Sequence, residues 1–289
     1  MKSERVFCRS SEGASANPLS RLSQIFTAKA TRVFVFGLLS VMTPVDVAHL
    51  GYSALYVGIV LAAMIAGNIF SNLLLTWYGG QIGRKRILLA FSLLMFVSGI
   101  VLFSTDFLPL ILVAVFIGNI GTSGTEAGPF QSIESGILPE IAGTLSVSRA
   151  YGLYNFIGYV CSAIGAFSAR TPSYFNYDLS VFRTLYLIYG VVGLFLFVVY
   201  STLPTSIETR SSGGTNNEKR TGLSNMSKEA KKDLTMLSAL TGVDAFGGGF
   251  TSQSVLVVWF YFVYHLSLNG LSLVFSVSQS YLALFLYAP

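Results

Sequence analysis

Long apolar runs alternate with short polar ones along most of this chain. Residues 53–77 and 87–103 are almost continuously apolar, and between them lies the polar, basic stretch 78–86. Each run has about the 20 residues that a helix needs to cross a hydrocarbon core of about 30 Å. The same reading gives eight spans: 32–49, 53–77, 87–103, 108–128, 150–167, 181–203, 234–263 and 268–287. The runs are too long and too continuously apolar for barrel strands, so helices are expected.

The polar segments divide the chain. Residues 1–30 read as a polar tail, because no apolar core precedes Val33 and a cleaved signal peptide is not expected. A polar linker carrying Glu134, Glu140 and Arg149 is expected after span 4. The expected units are the tail 1–30, a six-helix bundle 31–203, a hydrophilic linker 204–233 and two further helices in 234–289. Within that linker, Ser211-Ser212-Gly213-Gly214-Thr215-Asn216-Asn217 reads as flexible.

Composition agrees with this layout. Of 289 residues, 53% are hydrophobic and 11% charged, and the mean hydropathy is +0.65. Ordinary soluble domains carry about a quarter charged residues. The net charge of +5 is not a nucleic-acid signal, since the cations lie at span ends and in tails. Placing the N-terminus and the 2–3, 4–5 and 6–7 loops in the cytoplasm leaves only Arg170 and Arg183 of the 18 Lys and Arg residues outside. The fold class is thus an all-α polytopic membrane protein in the cell membrane, with a cytoplasmic N-terminus. Cys8 and Cys161 are too far apart in the pattern to imply a disulfide framework or a thiolate metal site.

The stretch 78–86 also carries a family resemblance. Gly83, Arg84 and Lys85 match the last glycine and basic pair of the 2–3 loop signature of the major facilitator superfamily, and Arg86 extends the basic run. Gly79 and Gly80 precede them, and the family's aspartate falls on Gly80 and its first glycine on Thr76. Residues 118–140 and 244–254 also resemble members of this superfamily. An internal likeness of residues 49–55 to 265–271, sharing His, Leu and Leu, fits two duplicated halves. The resemblance implies a permease that moves a small organic solute by alternating access between two six-span halves. It leaves open coupling to protons or cations and implies no cofactor. Eight spans fall short of two such halves, so truncation, frameshift or a partner supplying the rest is the expectation. The alternative is a transport-inactive fragment or scaffold.

Ionisable groups inside spans are costly and usually face a cavity or a partner. Asp244, followed by Gly247-Gly248-Gly249, reads either as a cation relay beside a weakened helix or as a surface residue paired with a cation. Asn119, Ser123 and Glu126 would share one helical face, lining a cavity, or Glu126 would sit hydrated at the end of span 4. Asn68 with Asn72, Tyr151 with Asn155 and Ser162, and Thr251 with Ser254 form polar stripes, while Gln253 is expected to point elsewhere. Such stripes serve as helix–helix glue or, together, as the wall of a polar cavity. His49, His265 and Asp46 read as end-of-span residues, and no metal site is expected.

An enzyme reading rests on Gly121-Thr122-Ser123-Gly124, which spells the G-x-S-G of intramembrane serine proteases. It needs a base beside Ser123, and both histidines are expected at the opposite end of their spans. The chain has no Gly-x4-Gly-Lys-Ser/Thr pattern, so no ATP drive is read from it.

Overall fold

The computed structural model describes residues 18–125, 128–141, 146–203 and 228–287. All their regular structure is helical. The elements are α1 (Pro18–His49), α2 (Ala54–Ile82), α3 (Arg84–Ser104), α4 (Leu108–Gly118), α5 (Pro129–Ile141), α6 (Val147–Ser168), α7 (Thr171–Tyr174), α8 (Leu179–Ser201), α9 (Lys228–Phe250), α10 (Gln253–Tyr264) and α11 (Leu268–Tyr287). Seven stretches among them are long and apolar enough to cross a membrane.

Small residues set how closely these helices cross. A Cβ on Gly165 of α6 would lie 2.0 Å from the Phe34 carbonyl of α1, and one on Gly37 of α1 would lie 2.4 Å from the Ser162 carbonyl of α6. Lipid tails are as apolar as leucine, so such close packing is a main source of association between membrane helices. Gly99 and Gly190 pair α3 with α8 in the same way.

Span 4 is not the single helix the sequence suggests. α4 ends at Gly118, Asn119 takes a left-handed conformation (φ 53°), and residues 119–125 are non-helical. Proline disfavours helical geometry in the residue before it and favours the first helical position, so Pro129 restarts the span as α5. The stretch expected as a polar linker is therefore the second half of the span. Its apolar residues Phe130, Ile133, Ile137 and Ile141 recur at helical spacing and are all buried.

Span 7 is broken as well. α9 runs through all three glycines, and the chain leaves helical geometry only at Thr251 and Ser252 before α10 begins. Residues 232–250 of α9 are exposed throughout. α10 packs on α1 and α2, and α11 packs closely on α6.

The basic loop is tighter than expected. α2 continues through Gly79 and Gly80 to Ile82, and α3 starts at Arg84, so Gly83 alone connects them. Its φ of 92° is a backbone conformation that residues bearing a side chain rarely take.

Candidate functional site

The two broken spans meet. A break inside a membrane bundle leaves backbone groups that must find partners in the protein or line a cavity. The N–H of Ser254, in the first turn of α10, donates to the carbonyl of Thr122 in the span 4 break at 2.9 Å. The first N–H groups of a helix have no partner within it, so each break satisfies the other.

Neutral side chains from four more helices converge there. Gln253 Nε2 donates to Ser40 Oγ at 2.9 Å, and Ser254 Oγ donates to Ser40 O at 2.7 Å. Gln279 Nε2 of α11 donates to Gln253 Oε1 at 2.8 Å and to Ser123 O at 3.4 Å. Ser162 Oγ of α6 donates to Gly124 O at 2.6 Å. From α2, Asn68 Nδ2 donates to Ile120 O at 3.0 Å, and Asn72 Oδ1 accepts from Ser132 Oγ at 3.2 Å. Gly124, at φ 72°, admits the Gln253 amide, since a Cβ there would lie 2.5 Å from Gln253 Oε1. Gln279 Oε1 is buried without a hydrogen-bond partner. The junction is thus an uncharged set of amides and hydroxyls with an acceptor left over.

Towards the basic-loop end lies a charged cluster. Arg32 of α1 and Glu134 of α5 are both fully buried and joined by two hydrogen bonds, Nη1 to Oε1 at 3.0 Å and Nη2 to Oε2 at 2.7 Å. Tyr154 donates to Glu134 Oε2 at 2.7 Å, and Tyr200 bonds both Glu134 and Arg32. The Arg32 guanidinium also lies over the Phe130 ring, 4.6 Å from its centroid. Such a pair needs extra hydrogen bonds to offset the loss of water around both charges, and the two tyrosines supply them. Next to it, Lys29 lies over the Tyr154 ring at 4.3 Å. Lys29, Thr125, Gln131, Asn155 and Tyr159 line a cavity of about 50 Å³, where Gln131 Oε1 has no hydrogen-bond partner.

Several expected residues gather here and others do not. Asn68, Asn72, Asn155 and Ser162 take part, and Ser123 does so through its backbone carbonyl. Asn119 and Ser123 do not share a helical face, because both lie in the break; Asn119 Nδ2 bonds Ile117 O, and Ser123 Oγ bonds Thr125 O at 3.0 Å. Glu126 lies outside the described residues. Asp244 and Thr251 are exposed and make no hydrogen bond to the junction residues among those described. Gln253, expected to point elsewhere, is central to it.

Asp46 is not solvated at a span end: it is buried and accepts from Tyr186 Oη at 2.8 Å. His49 packs its ring against Tyr177 at 4.8 Å, and His265 follows α10 in a left-handed conformation. Among the described residues no imidazole touches Ser123. At the basic loop, Arg84 pairs with Glu140 at 3.0 Å, and Lys85 Nζ donates to the last carbonyls beside α8, Ser201 O at 2.7 Å and Leu203 O.

Arg32 and Glu134 are not conspicuous in the sequence, because one falls at the edge of span 1 and the other in the stretch that reads as linker. The helical spacing of Phe130, Ile133, Ile137 and Ile141 was the available signal, since Glu134 falls within that buried face.

Comparison with known proteins follows the same lines. The family model of the Major Facilitator Superfamily matches residues 22–288. An uncharacterized membrane protein of Saccharomyces cerevisiae, YJR124C, is 24% identical over 258 residues, covering 78% of this chain and 57% of the relative. The chain therefore spans little more than half the length of that relative. No solved structure matches.

Proposed function

The chain belongs to the major facilitator superfamily, and on that premise we propose that it is a secondary transporter, moving a small organic solute by alternating access. The observation that carries this is the meeting of two discontinuous spans, Thr122 O against Ser254 N, among neutral amides and hydroxyls. Substrate and coupling-ion sites of secondary transporters lie near the bilayer midplane, typically where helices are interrupted. We assign solute contact to Ser40, Gln253, Gln279 and the Asn68–Asn72 pair. Protons or cations are the proposed coupling ions, and of the two the Lys29 cavity, lined by an amine and no carboxylate, suits proton exchange. Residues 31–203 form the first half of the permease and 234–289 the start of the second, joined by a cytoplasmic linker over 204–233. The N-terminus faces the cytoplasm, as the distribution of Lys and Arg supports, and the membrane we propose is that of the cell surface.

A second reading, a membrane scaffold without transport, is favoured by the exposure of α9 from Lys232 to Phe250. Uptake into proteoliposomes separates the two. The transporter reading expects gradient-dependent flux of at least one solute in a panel of sugars, organic cations and organic acids. No flux of any of them, with the protein inserted in one orientation, would leave the scaffold.

A further inference from the structure

α6 and α11 leave a groove of about 380 Å³ between them. Phe156, Val160, Ile164 and Phe167 of α6 form one wall, and the small residues Ser276 and Ser280 of α11 contribute to the other. The hydroxyl of Ser280 donates to Ser276 O at 2.9 Å within its own helix, so its contribution to the groove is largely apolar. The α6 wall runs from residue 156 to residue 167, about 16 Å at 1.5 Å per residue. That is close to the hydrocarbon depth of one leaflet, half of about 30 Å.

A cation stands at one end of this groove. Arg170 lies three residues after Phe167, in the turn that follows the end of α6 at Ser168, its guanidinium 3.5 Å from the centroid of the Phe167 ring and 5.5 Å from that of Tyr174. Arg84 and Arg183 each pair with a carboxylate, whereas Arg170 has no such partner among the described residues. Cation–π contact orients a guanidinium while leaving its N–H groups free to bond an anion.

We propose that this groove is a phospholipid site, with the phosphate on Arg170 and one acyl chain laid between α6 and α11. A chain-length apolar groove ending in an unneutralised arginine has the chemistry of a headgroup joined to a hydrocarbon tail. The site shares no lining residue with the junction of broken spans and lies on the seam where span 8 packs against span 5.

The test is native mass spectrometry of the whole chain, extracted from vesicles of phosphatidylcholine and phosphatidylglycerol in equal parts. Wild-type protein is expected to retain one phospholipid. Ser280→Phe fills the groove from an exposed position and lowers retention at least about tenfold, as expected when several methylenes lose their burial. Arg170→Gln lowers it about fivefold, the value of one basic residue near a lipid headgroup. Val277→Phe, exposed on α11 but outside the groove, retains the lipid as wild type does. If Ser280→Phe fails to give a monodisperse protein, Ile164→Trp fills the groove from the other wall. Retention unchanged in the groove-filling variant, or lost equally in Val277→Phe, overturns the proposal.

Discussion

The N–H of Ser254 donates to the carbonyl of Thr122 at 2.9 Å, so the start of α10 is capped by a break in another span. Ser252, at the N-cap position, makes no capping bond of its own. Contact between the two parts of the chain is thereby built into backbone groups that neither helix could satisfy alone. Any motion that parts α10 from span 4 must break this bond, and any motion that parts α10 from α1 must break the Gln253 and Ser254 bonds to Ser40.

Gln253 is the side chain on which the junction most depends, because it donates to Ser40 and accepts from Gln279. Gln253→Ala leaves both partners short of a bond in a buried place, which costs about 1–3 kcal/mol. We expect a lower melting temperature in detergent and a loss of solute flux in proteoliposomes. Flux equal to wild type would remove Gln253 from the solute path.

The Arg32–Glu134 pair yields a different signature. Removing one partner leaves a buried charge without compensation, at about 3–5 kcal/mol, whereas replacing both by apolar groups of similar volume is often neutral. Glu134→Leu should therefore lose most of its expression as folded protein, and Arg32→Met combined with Glu134→Leu should recover part of it, short of wild type by about 1–3 kcal/mol for each of the Tyr154 and Tyr200 hydroxyls left without its partner. Thermal unfolding of the single and double variants checks this. If the double variant recovers folding yet has no flux, the pair serves the transport cycle as well as the fold.

Spans were legible in the sequence because a membrane helix needs a long apolar run, and that run is visible without any tertiary information. The breaks were not. Gly247, Gly248 and Gly249 suggested an interruption of span 7, yet α9 passes through them and stops at Thr251, held by contacts that α10 makes with Ser40 and Thr122. In span 4 the glycines and Pro129 were present, but apolar Ile117 and Ile120 kept the pattern continuous. Asn68 and Asn72 were found because an i, i+4 amide pair is conspicuous in an apolar helix. Gln253 and Gln279 were missed because a partner 26 positions away is not a periodic signal.

Close helix crossings give a packing prediction. A Cβ at Gly165 would fall 2.0 Å from Phe34 O, a backbone atom that cannot swing aside. Gly165→Leu forces α1 and α6 apart, and overpacking of this kind costs about 1–3 kcal/mol, sometimes more. Gly136→Leu, with nothing within 4 Å of its added Cβ, is the control. We expect the first to unfold at lower temperature in detergent and the second to match wild type; equal melting would show that α1 and α6 can separate at no cost.

Arg84 and Glu140 join the start of α3 to the end of α5 across the basic loop. Gly80, in the last turn of α2, stands where the superfamily signature has its aspartate, so the charge partner of the basic run comes instead from Glu140. Both side chains are partly exposed, 31% and 26%, and exposed pairs contribute about 1 kcal/mol at most. The pair is too weak to hold the fold and suited to a contact that opens and closes. Arg84→Ala is therefore expected to change the rate of turnover or the insertion of the chain while leaving the KM for solute as it is. Glu140→Ala should do the same, and the double variant should add nothing further, because each change already breaks the one bond they share. Additive effects of the two substitutions on turnover, or a changed KM with normal insertion, would place Arg84 in some other role.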